Sequence, residues 1–284
     1  MSRLRAGGLA AVVALAGAVL ACGEAAAQQP REWALGFQGA FSPIARQQHA
    51  FHDALLWIIF AISLFVLVLL LYVIWRFNER RHPKATRTTH NTFIEVLWTV
   101  VPILILVGIG IPSLPLLYAS DRAVDADMTI KAIGRQWNWS YEYPDHGPFG
   151  FDAYMVPEKD LKPGQPRLLT ADEEVVVPVG KKVRLLVTAS DVIHAWAMPA
   201  FGVKIDAVPG RINETWFEAD TPGVYYGQCS EICGTGHAYM PIVVRAVSET
   251  EFQAWVASAR QRFASAGDEA TTRQVAVAAP AARQ

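Results

Sequence analysis

Two uncharged apolar segments near the N-terminus constrain the fold of this chain more than any other feature. Residues 54–75 read ALLWIIFAISLFVLVLLLYVIW, and residues 96–117 read VLWTVVPILILVGIGIPSLPLL. Each has about the ~20 residues that a helix needs to cross a bilayer. Because hydrocarbon leaves unpaired backbone groups without partners, both segments are predicted to be transmembrane helices, over residues 54–76 and 94–118.

A short basic loop separates the two predicted spans. The stretch 76–90 contains one acid, Glu79, and five cations: Arg76, Arg80, Arg81, Lys84 and Arg87. Short loops rich in Lys and Arg remain in the cytoplasm, so residues 77–93 are predicted to be cytoplasmic. The N-terminal segment 28–53 and everything after the second span are therefore expected on the periplasmic side of a bacterial inner membrane.

The first 27 residues have the layout of a secretory signal peptide. Arg3 and Arg5 precede the apolar run 9–20, and small residues follow as far as Ala27, which is the favoured cleavage site. Cys22 leaves a lipoprotein site open, and a mitochondrial presequence is also rich in Arg and poor in acids. The strongly apolar run favours the secretory signal, because transit peptides are amphipathic.

The region after the second span has the pattern of an all-β domain. From Met128 onward, short strand-like runs are separated by Gly and Pro turns, which is typical of a β-sandwich or barrel, here placed at 119–247. An amphipathic helix is predicted at 248–264, with Ser248 as its N-cap and Glu251 three residues later. Residues 265–284 lack periodicity and are predicted to be a disordered tail.

Soft metal-binding side chains are concentrated in the sequence CSEICGTGHAYM, from Cys229 to Met240. Two thiols, an imidazole and a thioether suit copper better than oxygen-preferring ions, and His194 would add a second imidazole. In an exported protein two lone cysteines could instead form one disulfide. A mononuclear blue copper site would leave one thiolate unused, whereas two copper ions bridged by both thiolates use every donor.

On these residues the chain resembles subunit II of cytochrome c oxidase, in the haem-copper oxidase family. The resemblance runs from the first span to about Arg245. It is carried by GRQWNWSYEYPD at 134–145, DVIHAWAMPAFGVKIDAVPGR at 191–211 and GVYYGQCSEICGTGHAYMPIVV at 223–244. It implies a two-helix anchor followed by an external cupredoxin-like, Greek-key β-domain that carries a binuclear copper centre (CuA).

The resemblance also implies particular roles for site residues. The copper ligands by side chain would be His194, Cys229, Cys233, His237 and Met240. Glu231 would bind copper through its backbone carbonyl, and its side chain would bind a magnesium ion shared with subunit I. Trp137 would be the entry point for electrons, and Glu95 would lie at the entrance of a proton path.

The implied function is electron transfer from ferrocytochrome c, through the copper pair, to the haem of subunit I, where oxygen is reduced to water. Partners would be cytochrome c, subunits I and III and membrane lipid, with no nucleic acid. Residues 119–245 contain 17 acidic against 12 basic side chains, a balance that would steer a basic cytochrome. Four acids match docking positions of the family: Glu142, Asp152, Asp172 and Asp191.

Three alternatives remain open from the sequence. A membrane-anchored copper-delivery protein can carry Cys-x3-Cys, but on a thioredoxin fold with one anchor. A quinol-oxidase subunit shares the fold but has lost the copper ligands. A binding module with a disulfide between Cys229 and Cys233 would bind no metal. The chain contains no Cys-x2-Cys-His, so no c-type haem is attached to it.

Overall fold

The computed structural model describes residues 29–84, 86–121, 125–147 and 149–278, with the backbone alone beyond residue 263. The predicted signal peptide at 1–27 lies outside the described residues. Two long helices come first in the described chain, a β-sandwich follows, and a third helix closes it.

Helices α1 (Pro43–Arg76) and α2 (Thr92–Asp121) contain the two predicted spans and are long and apolar enough to cross a membrane. Helix α1 begins well before residue 54, because Ser42 caps it: the Ser42 Oγ accepts a hydrogen bond from the Ala45 N–H at 2.9 Å. The first turns of α1 are polar, so the apolar pattern of the sequence predicted only the later part of the helix, which has the composition of a membrane span.

Ten strands are described in the domain that follows α2, within residues 125–147 and 149–278. They are β1 (Met128–Arg135), β2 (Asn138–Glu142), β3 (Gly150–Ala153), β4 (Val175–Pro178), β5 (Lys182–Ala189), β6 (His194–Met198), β7 (Val203–Ala207), β8 (Asn213–Glu218), β9 (Gly223–Cys229) and β10 (Pro241–Val247). One sheet has the order β3-β2-β1-β5-β8 and the other β4-β10-β9-β6-β7. Strands β1 and β5 pair in parallel, as do β4 and β10. The prediction of a two-helix hairpin followed by an all-β, cupredoxin-like domain is therefore confirmed.

Large aromatic side chains fill the space between the two sheets. Trp196 stacks on Phe217 with ring centroids 5.8 Å apart, and Phe217 stacks on Phe201 at 5.0 Å. All three side chains are buried. Burial of a side chain of this size contributes about 1.5–3 kcal/mol, so the aromatic layer is a principal source of the domain's stability.

Helix α3 (Glu249–Ala278) closes the sandwich. Ser248 and Glu251 form a reciprocal cap, in which the Glu251 N–H donates to the Ser248 Oγ and the Ser248 N–H donates to the Glu251 carboxylate. Phe252, Trp255 and Phe263 then pack against the β-domain. The helix was predicted to end at 264, yet it continues to Ala278, because seven of the fourteen residues 265–278 are the helix formers Ala, Glu, Gln and Arg, although they lack an apolar stripe. The last predicted tail residues, 279–284, lie outside the described chain.

The β-domain is attached to the start of α1. The Ser42 hydroxyl donates to the Phe201 carbonyl at 2.7 Å, and the Gln48 amide donates to the Gly202 carbonyl at 2.9 Å. Arg46 forms an ion pair with Asp220. Gly202 has a φ of +70°, and a Cβ there would lie 3.0 Å from the Ala45 Cα, so helix and domain meet without room for a side chain.

The same domain also caps the end of α2. The Trp216 indole N–H donates to the Ala119 carbonyl at 2.8 Å, and the Thr215 hydroxyl donates to the Ser120 carbonyl at 3.4 Å. The last carbonyls of a helix have no partner within the helix, so strand β8 supplies the partners that α2 lacks. The β-domain is thus hydrogen-bonded to both spans. This arrangement contradicts the copper-delivery alternative, which requires a thioredoxin fold and one anchor.

We expect Trp216→Phe to loosen the attachment of the β-domain to α2. The change removes one hydrogen bond and leaves the Ala119 carbonyl unpaired, a loss of about 0.5–1.5 kcal/mol. Hydrogen exchange of the full-length protein, followed by mass spectrometry, should show faster exchange at residues 117–121. The matched control is Trp33→Phe, since Trp33 is almost fully exposed. Unchanged exchange at the end of α2 would contradict the capping role.

Candidate metal centre

A β-hairpin presents most of the predicted donors in one loop. Strands β9 and β10 are antiparallel, with Pro241 opposite Gln228. The Cys229 N–H donates to the Met240 carbonyl at 3.2 Å, so the loop from Cys229 to Met240 is closed at its base. A short 3-10 turn, His237–Tyr239, lies near its end. The loop is therefore a fixed frame for its side chains.

His194 reaches this loop through strand pairing. It is the first residue of β6, and β6 pairs with β9 so that Trp196 lies opposite Cys229. The His194 Nδ1 consequently lies 4.0 Å from the Cys229 Sγ, although 35 positions separate the two residues in the sequence. The side chain of His194 is fully buried.

The predicted donor atoms converge around the two sulfurs. The Cys229 Sγ and Cys233 Sγ are 3.9 Å apart. The Cys233 Sγ lies 3.6 Å from the His237 Nδ1 and 3.6 Å from the Met240 Sδ. On the other side, the Cys229 Sγ lies 3.3 Å from the Glu231 carbonyl oxygen. Each sulfur thus has an imidazole beside it and one further donor near it.

These distances fit metal binding by two thiolates. Both cysteines are free and buried, and their sulfurs are far beyond the ~2.05 Å of a disulfide, which contradicts the disulfide alternative. Half of their 3.9 Å separation is shorter than a metal–sulfur bond of ~2.3 Å, so one ion can contact both sulfurs. The ligating atoms of His194, Cys229 and Cys233 all lie within 4.8 Å of one another.

The two thiols differ in acidity. Burial raises the pKa of Cys229, but hydrogen bonds from His194 and from the backbone outweigh burial, so the pKa is lowered. Burial raises the pKa of Cys233, and the negative charge of the neighbouring Cys229 raises it further. Because metal-bound thiols are deprotonated, binding of a metal would release the proton that Cys233 holds.

Asp191 holds His194 in its orientation. One Asp191 carboxylate oxygen lies 2.9 Å from the His194 Nε2, which leaves the Nδ1 facing Cys229. The other oxygen accepts from the Gln136 N–H at 2.7 Å. Burial raises the pKa of Asp191, but these hydrogen bonds outweigh it and lower the pKa. The resemblance had suggested a docking role for Asp191, and its contact with a candidate ligand adds a positioning role.

Trp137 packs directly against the donor loop. Its indole N–H donates to the Cys233 carbonyl at 3.2 Å, and the Gln136 amide donates to the same oxygen at 2.8 Å. A Cβ at Gly236 would lie only 2.2 Å from the Trp137 ring, and one at Gly234 would lie 3.0 Å from it. Gln136 and the two glycines were not predicted, and the Gly-Thr-Gly sequence between Cys233 and His237 was the available signal for the glycines.

The remaining predicted residues lie in three places. Asp152 and Asp172 are exposed neighbours, joined through Tyr154, whose hydroxyl is 3.4 Å from Asp152 and whose N–H donates to Asp172 at 2.7 Å. Glu142 is exposed and forms an ion pair with Lys131 at 3.0 Å. Glu95 lies in the first turn of α2, about 39 Å along the helix from its capped end. The structure therefore separates Glu95 from the donor loop.

The chain is similar to one known protein family over both its helices and its β-domain. Residues 128–247 match the family model for the periplasmic domain of cytochrome c oxidase subunit II, and residues 30–116 match the model for its transmembrane domain. A probable cytochrome c oxidase subunit 2 of Rickettsia bellii is 49% identical over 90% of this chain and 95% of its own length. Cytochrome c oxidase subunit 2 of Cereibacter sphaeroides is 46% identical over 86% and 89%.

A solved structure is also similar to the β-domain. The crystal structure of the periplasmic domain of subunit II of cytochrome oxidase (CoxB) of Bradyrhizobium japonicum is 58% identical in sequence. The match covers 50% of this chain and 99% of that one, with a TM-score of 0.48.

We expect Asp191→Asn to weaken metal binding. The amide keeps the shape of the carboxylate but loses the charge that orients His194, and loss of such a partner lowers metal affinity by about 10–100-fold. Competition of the full-length protein with a copper chelator measures the change. Asp172→Asn is the matched control, because Asp172 is an exposed acid that bonds to the backbone of Tyr154. Equal effects of the two substitutions would rule out a special role for Asp191.

Gly236→Ala is expected to displace the Trp137 ring. The new methyl would overlap that ring, and overpacking of this kind destabilises by about 1–3 kcal/mol. The indole N–H signal of Trp137 in the NMR spectrum should shift as its bond to Cys233 breaks. Thr235→Ala, at an exposed position in the same loop, serves as the control. An unmoved indole signal in the Gly236 variant would show that the ring is not held by this contact.

Proposed function

The chain belongs to the cytochrome c oxidase subunit II family, and from this membership we propose that it is the subunit through which electrons enter the oxidase. It would accept electrons from ferrocytochrome c at a binuclear copper centre and deliver them to the haem of subunit I, where oxygen is reduced to water. The observation that carries the proposal is the pair of free thiols, 3.9 Å apart, with one imidazole beside each.

The donor set supports two copper ions rather than one. Cys229, Cys233, His194 and His237 would hold the two ions. The Met240 thioether and the Glu231 carbonyl would be the weaker ligands. All of these atoms lie within 4.0 Å of a cysteine sulfur, which supports a shared metal site built around the two thiols.

The copper pair, when bound, supplies reversible one-electron chemistry. The chain supplies the surroundings that make this chemistry fast. His194, Cys229, Cys233 and Met240 are buried, so water is largely excluded and its reorganisation on a change of charge is small. Asp191 fixes one imidazole, and the closed base of the hairpin fixes the loop, which keeps the ligands in place in both oxidation states.

Trp137 is proposed as the point where the electron enters. Its side chain is half-buried, so part of the ring is accessible to a docked protein. Its indole N–H bonds to the carbonyl of Cys233, which links the ring to a proposed copper ligand through one hydrogen bond. A π-system at the surface with a direct bonded route to a thiolate is well suited to receive an electron from an exposed haem edge.

The acidic surface is proposed to dock cytochrome c. Asp152 and Asp172 form one exposed pair, and Glu142 lies on the neighbouring strand β2. Opposite charge on a partner would raise the association rate and make it fall with added salt. Asp191 would add to the negative charge that attracts cytochrome c, and it would also orient His194.

Other parts of the chain are proposed to face partner subunits. The side chain of Glu231 is an exposed part of the donor loop, which fits a magnesium ion shared with subunit I. Glu95 would lie at the cytoplasmic entrance of a proton path, and subunit III would complete the complex. With the basic loop in the cytoplasm, the β-domain would face the periplasm of a bacterial cell.

Reduction of the purified oxidase by ferrocytochrome c, followed by stopped-flow spectroscopy, tests this function. Trp137→Phe should slow the fast phase by more than about tenfold, because a misplaced reacting group loses rate steeply with distance. The rate for the unmodified protein should fall as ionic strength rises. Copper content should stay unchanged in the variant.

Trp33→Phe is the control, because this exposed tryptophan belongs to the N-terminal segment rather than to the donor loop. A fast phase that is equally rapid in Trp137→Phe would remove Trp137 from the route. An oxidase whose copper is not reduced by ferrocytochrome c at all would contradict the proposed function itself.

A further inference from the structure

Three apolar side chains stand exposed at alternate positions before the first span. Trp33 is 95% exposed, Leu35 is fully exposed and Phe37 is 61% exposed. Charged or amide side chains flank them at Arg31, Glu32 and Gln38. Large apolar side chains exposed together usually mark a contact surface, so this stretch, Trp33–Phe37, needs a partner outside the described chain.

Contacts within the chain indicate how close this segment lies to the apolar span of α1. The Phe41 N–H donates to the Ala200 carbonyl, which ties the start of α1 to the β-domain. Phe37 instead contacts two histidines farther along α1, with ring centroids 5.0 Å from His49 and 4.6 Å from His52. The chain between Phe41 and Phe37 therefore runs beside α1. Phe37 reaches His52, which is about 14 Å along the helix axis from Pro43, in the direction of the apolar span.

Phe37 lies just outside the apolar span. His52 is two residues before Ala54, where the uncharged segment begins, which is ~3 Å along the helix axis. The headgroup layer on each side of the hydrocarbon core is roughly 5–7 Å thick. Phe37 is thus at the depth of the headgroups. Leu35 lies two residues before Phe37 in the sequence, so at most ~7 Å of extended chain separates these two residues.

We propose that Trp33–Phe37 is a membrane-interface anchor, which inserts its apolar side chains into the phospholipid leaflet on the side of the β-domain. Its chemistry fits this partner, because Trp and Phe with nearby Arg and amide groups prefer the boundary between headgroups and hydrocarbon. A turn, closed by a hydrogen bond from the Ala34 N–H to the Arg31 carbonyl at 3.4 Å, presents Trp33 at its tip.

The anchor would add a third membrane contact to the two spans. It lies at the end of α1 that is bonded to Phe201 and Gly202 of the β-domain. The segment would therefore restrict the tilt of the β-domain over the bilayer. This inference rests on the spans and the exposed segment, and it is independent of the copper chemistry.

Photocrosslinking in the complete oxidase, reconstituted in phospholipid vesicles, tests the anchor. A benzophenone amino acid placed at Leu35 should give an adduct whose mass exceeds that of the chain by one phospholipid. The same probe at Tyr154, which is 49% exposed at the edge of the β-domain, should give no lipid adduct. An adduct of the Leu35 probe with another subunit, or no adduct, would overturn the proposal.

A second measurement keeps the native segment intact. Brominated phospholipids quench tryptophans that lie in the bilayer, and the contribution of Trp33 is the difference between the unmodified protein and Trp33→Phe. This contribution should be lost in brominated vesicles and kept in ordinary ones. A Trp33 contribution that is equal in both kinds of vesicle would place the segment in water or against protein and would overturn the proposal.

Discussion

The pairing of strand β6 with β9 is the constraint on which the site depends. The loop from Cys229 to Met240 provides two sulfurs, one imidazole and a thioether, but it cannot provide the second imidazole. That group comes from His194, which the register of Trp196 opposite Cys229 places beside the first sulfur. A slip of one residue would turn His194 to the other face of the sheet. Strand pairing therefore determines whether the donor set is complete.

The same strand also connects the site to the membrane. Strand β6 starts at His194 and ends at Met198, and the following turn, Pro199–Phe201, carries the carbonyl that accepts the bond from Ser42 at the start of α1. Strand β8 holds the end of α2 through Trp216. Within the described residues, the position of the donor loop relative to the two apolar helices is thus set by hydrogen bonds to both helices.

Much of this architecture could be predicted from the sequence, for identifiable reasons. The two helices have an uncharged apolar pattern as long as a bilayer span, and counting soft donors already favoured a metal site over a disulfide. The start of α1 at Pro43 was not predicted, because its first turns are polar and lack the apolar pattern, although Ser42 followed by Pro43 was a start signal in the sequence. The bond between Asp191 and His194 was also hidden, since an exposed acid in a turn has the same pattern whether it binds solvent or an imidazole.

Copper analysis of the purified full-length protein tests the central claim most directly, which is that the thiols of Cys229 and Cys233 hold two metal ions. Metal content and electron paramagnetic resonance should together show two copper ions per chain, with one unpaired electron shared between them. Cys233→Ser should abolish the shared signal. One copper ion per chain with a mononuclear spectrum, or a metal-free chain with a disulfide between the two cysteines, would contradict it.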